Sequence, residues 1–414
     1  MNRIVLIGNG FDIAHGIPTG YVDFINWYWN KWFSRLRRSH RHKESDMLCS
    51  FKIKDEDTWF SRLFCTVSII NPPTGQDFID SIINDDSSFE ACLSPFLKEI
   101  CKSIETKGWV DIETEYYKLL RSFLHSTSRE DVETLNKELD YVSKLLTEYL
   151  SSLNVSPAII NEDINACIYS PVCENDIAVS AKKDWENFIL VRYNDHEKEY
   201  LNDYYSDFES AYREIFTFNK KFEDQINYMG IQSIDGDEFP KSLRLPNKIM
   251  LLNFNYTNIA DMYMMNDAPR FCVNHIHGTI NNPESIIFGY GDELDENFQE
   301  LLRLQNNTFL QNIKSINYLA SPNYREFLSF IESAPYQVFI MGHSCGNSDR
   351  TLLNTLFEHK NCISIKPFYH KKKDGTDNYL DIIKNISRNF INMQVMRDKV
   401  VNKKYCTPLP QNKI

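Results

Sequence analysis

The sequence lacks paired cysteines, a long apolar run and an excess of basic residues. Its ten cysteines occur singly, without a C-x-x-C pair, so their spacing matches neither a zinc ribbon nor a small disulfide-rich domain. No run approaches the roughly 18 apolar residues that a membrane helix needs, and no basic-then-apolar leader precedes the first apolar segment. We therefore expect a cytoplasmic protein with reduced thiols and no membrane contact.

The net charge of the chain limits the kinds of partner that it is expected to bind. There are 45 basic and 57 acidic residues, for a net charge of -12, which argues against binding to nucleic acid or to anionic membranes. A basic run at residues 35–43 is typical of a solvated helix end or a mobile loop. With 414 residues, of which 42% are hydrophobic, the chain predicts a principal domain with a second domain or a large insertion.

The first 33 residues predict a strand, a glycine turn and a helix in succession, which is the order found in nucleotide-binding sites. Residues 3–7 form a short apolar run rich in β-branched residues, which predicts a strand buried on both faces. Gly8-Asn9-Gly10 follows, and an amphipathic helix is predicted over residues 21–33. Glycines at such a turn let the backbone approach a pyrophosphate. The alternative is a tight turn that binds no ligand.

The remaining patterns divide the chain into three parts. Residues 1–33 are interpreted as the first βα unit, and residues 34–245 as a mainly helical insertion. Strand-like runs return in residues 246–414, which we interpret as the remainder of the nucleotide-binding domain. The predicted fold class is α/β, with a Rossmann-like parallel sheet and a large helical insertion. The clearest predicted helices cover residues 132–149 and 208–222, and the later predicted strands are residues 249–252, 273–276, 286–288 and 338–341.

Six short sequence motifs occur in a characteristic order along the chain. Residues 8–18 read G-N-G-F-D-I-A-H-G-I-P, and W-V-D-I-E occupies residues 109–113. N-F-N-Y-T, H-I-H-G, F-G-Y-G and G-H-S-C-G-N-S-D follow at 253–257, 275–278, 288–291 and 342–349. This ordered set resembles the bacteriophage abortive-infection AbiH family as far as about residue 370. The resemblance implies an antiphage protein.

The same strings are similar, more remotely, to the Sir2 group of NAD-binding proteins. That similarity implies a Sir2-like sheet with NAD bound across it, the glycine turn near the phosphates and Ser344 toward the adenosine. It places Asn255 and His277 near the nicotinamide ribose. The residues predicted to bind the cofactor are Gly8, Asn9, Gly10, Phe11, Asp12, Gly342, Ser344 and Asp349.

The third glycine of the turn is Gly16, so the spacing differs from the general dinucleotide fingerprint G-x-G-x-x-G. Two departures from the Sir2 pattern also modify the expectation. Asp12 stands where the Sir2 group has serine, and because a pyrophosphate repels a carboxylate, we expect Asp12 to cap the turn or contact a ribose hydroxyl. The missing zinc ribbon argues against protein deacylation and favours NAD cleavage.

Cleavage of the nicotinamide N-glycosidic bond releases a neutral leaving group, so it needs no general acid. The predicted catalytic residues are Asn255, which holds a water or a ribose hydroxyl, His277, a base titrating near neutrality, and Glu113. The alternatives are a helix cap for Asn255, a carbonyl contact for His277 and a favourable helix-dipole position for Glu113. His275 and His277 share a strand face without an obvious third ligand, so no metal is predicted.

Two other classes of function stay open. Residues 342–346, G-H-S-C-G, fit the nucleophile elbow of a serine hydrolase, although Asp349, His359 and His370 lie close to it in sequence. A non-catalytic sensor could bind NAD or a derivative in the same pocket. The expected partner is thus a dinucleotide, and a phage-derived trigger and activation through a homo-oligomer are hypotheses.

Overall fold

The computed structural model describes residues 1–38, 43–53, 89–124, 129–153, 160–204, 241–264 and 270–412. Its strands are β1 (Asn2–Ile7), β2 (Lys43–Ser45), β3 (Cys49–Ile53), β4 (Phe89–Leu93), β5 (Ile249–Asn253), β6 (Phe271–His275), β7 (Tyr336–Met341) and β8 (Cys362–Phe368). Its helices are α1 (Asn9–Ala14), α2 (Tyr21–Arg38), α3 (Pro95–Lys107), α4 (Ile112–Ser122), α5 (Arg129–Ser152), α6 (Glu162–Ile168), α7 (Lys182–Tyr204), α8 (Glu296–Arg303), α9 (Lys314–Asn317), α10 (Asn323–Ser333), α11 (Arg350–Glu358), α12 (Tyr379–Arg388) and α13 (Met393–Lys399).

The main sheet has five parallel strands in the order β6-β5-β1-β7-β8. Numbered in chain order within this sheet, the strands run 3-2-1-4-5, which agrees with the doubly wound Rossmann order. The strand order therefore reverses between β1 and β7. The predicted α/β class with a parallel sheet is confirmed.

Both faces of this sheet are buried, because side chains of a strand alternate between its two faces. Ile4 and Leu6 point to the face covered by α10, α11, α12 and α13. Val5 and Ile7 point to the opposite face, where α1 and α6 pack. A continuous apolar run is thus the pattern that a central strand such as β1 requires.

A second core lies among the helices that follow β1 in sequence. The amphipathic helices α2, α3, α4 and α5 turn their apolar faces toward one another around Trp32, Leu97, Tyr116 and Leu139. The helices predicted over residues 21–33 and 132–149 are confirmed as α2 and α5. The helix predicted at 208–222 lies outside the described residues, and the division of the chain at residues 34 and 246 stays a prediction.

Three features of the fold differ from the sequence-based expectation. Residues 286–288 form no strand, because only isolated backbone contacts such as Ile287 N–H to His277 O join them to their surroundings. Strand β8 is not predicted by the sequence pattern. The antiparallel sheet β2-β3-β4 is also unpredicted, because its first strand, Lys43–Ser45, has no apolar alternation.

Among the described segments, no helix combines the length and apolar character needed to cross a membrane.

Candidate functional site

A cleft of about 910 Å³ lies at the carboxyl ends of β1 and β7, where the strand order reverses. At such a reversal the loops that follow the two strands diverge, and open α/β sheets bind ligands in the resulting crevice. The volume is within the range of small-molecule sites. Every predicted site residue except Phe11 lines this cleft, namely Gly8, Asn9, Gly10, Asp12, Glu113, Asn255, His277, Gly342, Ser344 and Asp349.

Phe11 lies in the core instead. Its side chain is fully buried, and its ring packs against His15 and Tyr263, with centroids 4.8 and 5.4 Å away. The first turn of α1 directs this position toward the sheet. The structure therefore corrects the prediction that Phe11 binds the cofactor.

Glycine is required at positions 8, 10 and 342 because the loop after β1 and the loop after β7 approach each other closely. A Cβ atom on Gly8 would lie 2.5 Å from the His343 Cα, and one on Gly342 would lie 2.1 Å from the Phe11 nitrogen. The Gly10 N–H donates to the Gly342 carbonyl at 2.9 Å, and Gly342 has a φ of 77°. Packing of the β1 loop against the β7 loop is thus a sufficient reason for glycine here, with or without a phosphate.

Asn255 is held in one orientation by groups at the end of β1. Its Nδ2 donates to the Gly8 carbonyl at 3.0 Å and to Asp12 Oδ1 at 2.8 Å. Both N–H groups of the amide are therefore used, which leaves Oδ1 as an acceptor without a hydrogen-bond partner in the described ranges. Asn255 does not cap a helix, and it can present an acceptor oxygen to a water or a hydroxyl in the cleft.

Asp12 neither caps the turn with its side chain nor presents a free carboxylate. It is 1% exposed and also accepts a hydrogen bond from the Thr257 hydroxyl at 2.6 Å. Burial raises the pKa of Asp12 to about 7, although the hydrogen bonds from Thr257 and Asn255 oppose the shift. The carboxyl group of Asp12 therefore orients Asn255 and loses much of its charge near neutral pH.

Asp12 should make folding stability depend on pH in a defined window. Its folded pKa of about 7 is above the ordinary value of 3.8, so between about pH 4 and pH 7 the folded protein keeps a proton that the unfolded chain has lost. The free energy of unfolding falls as pH rises through this window, by a few kcal/mol at most, at about 1.4 kcal/mol per pKa unit. In thermal unfolding from pH 4 to 8, Asp12→Asn should gain stability relative to wild type as pH rises.

The exposed carboxylate Asp184 provides the control for that measurement. Asp184→Asn removes an exposed carboxylate, and its difference in stability from wild type should change much less across the series than that of Asp12→Asn. A constant difference for Asp12→Asn would contradict the raised pKa of Asp12.

A buried ionic network forms the floor of the cleft. The Lys314 ammonium lies 2.9 Å from Glu113 Oε2 and 2.8 Å from Asp349 Oδ1. His277 Nε2 lies 3.3 Å from the same Asp349 oxygen, and His343 Nε2 lies 3.6 Å from Asp349 Oδ2. One lysine thus joins α4 to the loop that follows β7.

Burial and the mutual charges set the protonation of this network. Burial alone would lower the pKa of Lys314, but Asp349 and Glu113 raise it, so the ammonium stays charged. Burial alone would raise the pKa of Asp349, but Lys314 and His277 hold it well below its usual range. Burial and then the Lys314 charge lower the pKa of His277 to about 4. The expectation that His277 titrates near neutrality is corrected, and its imidazole is neutral at pH 7.

Glu113 reaches the cleft from the first turn of α4. Asp111 is the N-cap of this helix and accepts the Thr114 N–H at 3.1 Å, which is its structural role. Glu113 accepts the Gly289 N–H at 3.2 Å and the Lys314 ammonium. Burial, with the nearby Asp349 and Asp111, raises its pKa to about 8 despite Lys314. Glu113 is therefore a buried carboxyl group on the same cleft as the other two predicted catalytic residues, Asn255 and His277.

Sequence reasoning gave no role to four residues of this site: Thr257 and Trp109 stand in the strings N-F-N-Y-T and W-V-D-I-E, whereas Lys314 and Tyr318 stand in none of the quoted strings. Lys314 is 1% exposed, although lysine is normally a surface residue. The Tyr318 hydroxyl lies 3.2 Å from His277 Nε2, and Thr257 bonds Asp12. Trp109 is 58% exposed at the mouth of the cleft.

The two neighbouring histidines have separate surroundings. His275 Nε2 lies 3.1 Å from Asp261 and its Nδ1 lies 3.2 Å from the Asn253 amide, whereas His277 faces Asp349 and Tyr318. No group of three or more His, Cys, Asp or Glu residues in the described ranges could hold a metal ion.

The G-H-S-C-G loop does not have the geometry of a nucleophile elbow. The strained backbone falls on Cys345, with a φ of 54°, one residue after Ser344. Ser344 is exposed, and no histidine of the described segments is hydrogen-bonded to its hydroxyl. His343 instead accepts the Cys345 N–H at Nδ1. A serine–histidine pair is therefore not assembled here.

Fold and site together define an α/β protein with a Rossmann-type strand order and a polar cleft where that order reverses. The family described as bacteriophage abortive infection AbiH matches residues 4–370. The protein therefore belongs to the AbiH family, which indicates a role in abortive infection by bacteriophage. No curated protein and no solved structure matches the chain.

Proposed function

We propose that the cleft binds NAD and cleaves its N-glycosidic bond, so that a phage-infected cell loses this dinucleotide. The observation that carries the proposal is the convergence of the glycine turn, Asn255 and His277 on one cleft. These segments are far apart in sequence, so it is the topology of the fold that places them together. Their order also follows the remote similarity to the Sir2 group of NAD-binding proteins.

The cleft has the size that a dinucleotide needs, and a guanidinium lies among its lining residues. Its volume of about 910 Å³ is near the upper end for small-molecule sites, as a ligand with two nucleosides requires. His370 and Arg388 line it, and Asn385 connects Arg388 to the loop after β7 by accepting from the guanidinium and donating to the Ser344 carbonyl. A guanidinium at this rim supplies the positive charge that a pyrophosphate needs in a protein of net charge -12.

The proposed reaction needs few functional groups from the protein. The bond between the ribose C1′ and the nicotinamide nitrogen breaks, its electron pair stays on the nitrogen, and neutral nicotinamide leaves. Water then adds to the oxocarbenium-like C1′, and its proton goes to His277 and on to solvent. A neutral imidazole of low basicity suffices because the carbon is strongly electrophilic.

Asn255 and Glu113 have supporting roles in this proposal. The free Oδ1 of Asn255 accepts a hydrogen bond from the attacking water or from a ribose hydroxyl. Glu113, when ionised, adds negative charge near the developing cation, and its raised pKa makes that contribution larger at higher pH. Both groups are fixed by protein contacts before a ligand binds.

The decisive experiment measures NAD in phage-challenged cells that carry wild-type protein, His277→Ala or Ser344→Ala. We expect NAD to fall with wild type and to stay level with His277→Ala, which should also lose protection. Ser344→Ala should keep protection within a few-fold, because its hydroxyl has no histidine partner. The reverse ranking would favour the serine hydrolase.

A sensor gives a third outcome. If challenged cells are protected while NAD stays level, the protein does not act by consuming NAD, and the proposal is wrong. Binding of NAD without turnover, in the same cells' purified protein, would then support a sensor. Assays on resting protein alone are insufficient, because an effector that destroys a common metabolite must be restrained before infection.

A further inference from the structure

The carboxylate oxygens of Asp349 contact other side chains of the protein rather than facing the open part of the cleft. One of its carboxylate oxygens contacts both the Lys314 ammonium, at 2.8 Å, and His277 Nε2, at 3.3 Å, while the other faces His343 Nε2 at 3.6 Å. The side chains of Lys314 and His277 are almost fully buried with it. Asp349 therefore has little capacity left to accept a hydrogen bond from a ribose hydroxyl.

These contacts define which nitrogen of His277 carries the proton. A carboxylate that is ionised beside an ammonium can only accept hydrogen bonds, so the imidazole nitrogen facing it must be the donor. The Tyr318 hydroxyl, 3.2 Å from Nε2, can accept from the same N–H. The Nδ1 atom has no hydrogen-bond partner within the part of the chain that the structure describes, and His277 lines the cleft.

We propose that Asp349 is the positioning residue of His277: it holds the imidazole as the Nε2–H tautomer and thereby leaves the Nδ1 lone pair as the proton acceptor in the cleft. Asp349 is then not a nucleotide ligand, in contrast to its sequence-based role. The acceptor function of Nδ1 rests on the proposed function, whereas the tautomer does not. Lys314 keeps Asp349 ionised and in place from the opposite side.

The tautomer can be read directly by long-range ¹H–¹⁵N correlation of ¹⁵N-histidine-labelled full-length protein at pH 7, without ligand. The His277 signals are assigned by their loss in His277→Gln. We expect wild-type His277 to be protonated at Nε2 alone. In Asp349→Ala only the Tyr318 hydroxyl remains beside Nε2, and because a hydroxyl can donate or accept a hydrogen bond, the single tautomer should be replaced by a mixture.

A matched control separates positioning from general stability. Asp176 is a buried carboxylate whose partner, Lys366, lies 2.9 Å away, and it is outside the cleft. Asp176→Ala should lower the Tm as Asp349→Ala does but leave the His277 signals unchanged. If both variants alter the His277 tautomer equally, the effect is structural and the inference is wrong.

The wild-type spectrum tests the inference even if Asp349→Ala does not fold. A proton on Nδ1 of wild-type His277 would overturn it outright. Turnover provides a separate readout: Asp349→Ala should lower NAD cleavage in challenged cells by about 10²-fold or more, since a wrong tautomer removes the base. Absence of NAD cleavage in wild type would contradict the proposed function and leave the tautomer result standing.

Discussion

Replacing Asn255 with alanine should abolish both NAD loss and phage protection in challenged cells. The change removes one oriented polar group from the reacting centre, and such groups contribute roughly 10²–10³-fold to a rate. The effect should exceed that of a typical cleft residue because the amide also joins the two halves of the β1 turn through Gly8 and Asp12. NAD quantification and plaque counts measure the two losses.

The controls for this variant separate chemistry from folding. Asn30 is an exposed asparagine on α2, outside the cleft, and Asn30→Ala should retain full protection. Thermal unfolding should show Asn255→Ala to be folded, with at most a modest decrease in Tm from the hydrogen bond lost at Asp12 Oδ1. A folded Asn255→Ala that still depletes NAD and protects would remove Asn255 from the reaction.

The largest effect on stability is expected for Gly342→Ala. A left-handed φ of 77° costs a non-glycine residue about 1 kcal/mol, and the added Cβ would lie 2.1 Å from the Phe11 nitrogen and 2.5 Å from the Gly10 carbonyl carbon. Backbone atoms cannot rotate away as side chains can. We expect a total loss of roughly 4 kcal/mol, measured as a decrease in Tm of roughly 10 °C.

Gly375 provides the matched comparison. Its φ is 85°, but nothing lies within 4 Å of an added Cβ, so Gly375→Ala carries the conformational cost without the clash. Its Tm should fall by roughly 2–4 °C. Equal decreases for the two variants would show that the β1 and β7 loops do not pack as closely as the structure has them.

The central strands were predictable because of where they lie. Strands β1, β5 and β7 are buried on both faces, and this demands the continuous apolar runs that single them out in the sequence. Strand β8 contains Lys366 and Pro367 and escapes that pattern. It is an edge strand, where the missing N–H of a proline is tolerated and a lysine can reach Asp176.

The candidate site was predictable to the extent that its residues stand in motifs. Asn255 and His277 follow strands β5 and β6, and parallel strands bring their carboxyl ends to one edge, so both reach the cleft. Lys314 belongs to no motif. Its carboxylate partners are 201 and 35 residues away in sequence, and local patterns contain no information on such pairs.

Local sequence patterns are enough to specify the strand, glycine turn and helix at the N-terminus and the parallel α/β class, because hydrophobic periodicity and turn chemistry act between near neighbours. The roles of the acidic residues, in contrast, depend on contacts that form only in the folded protein. Asp12 orients Asn255, Asp349 faces Lys314 and His277, and Glu113 lies buried beside Lys314. The protonation of these groups depends on burial and on charges that only the completed fold brings within hydrogen-bond distance.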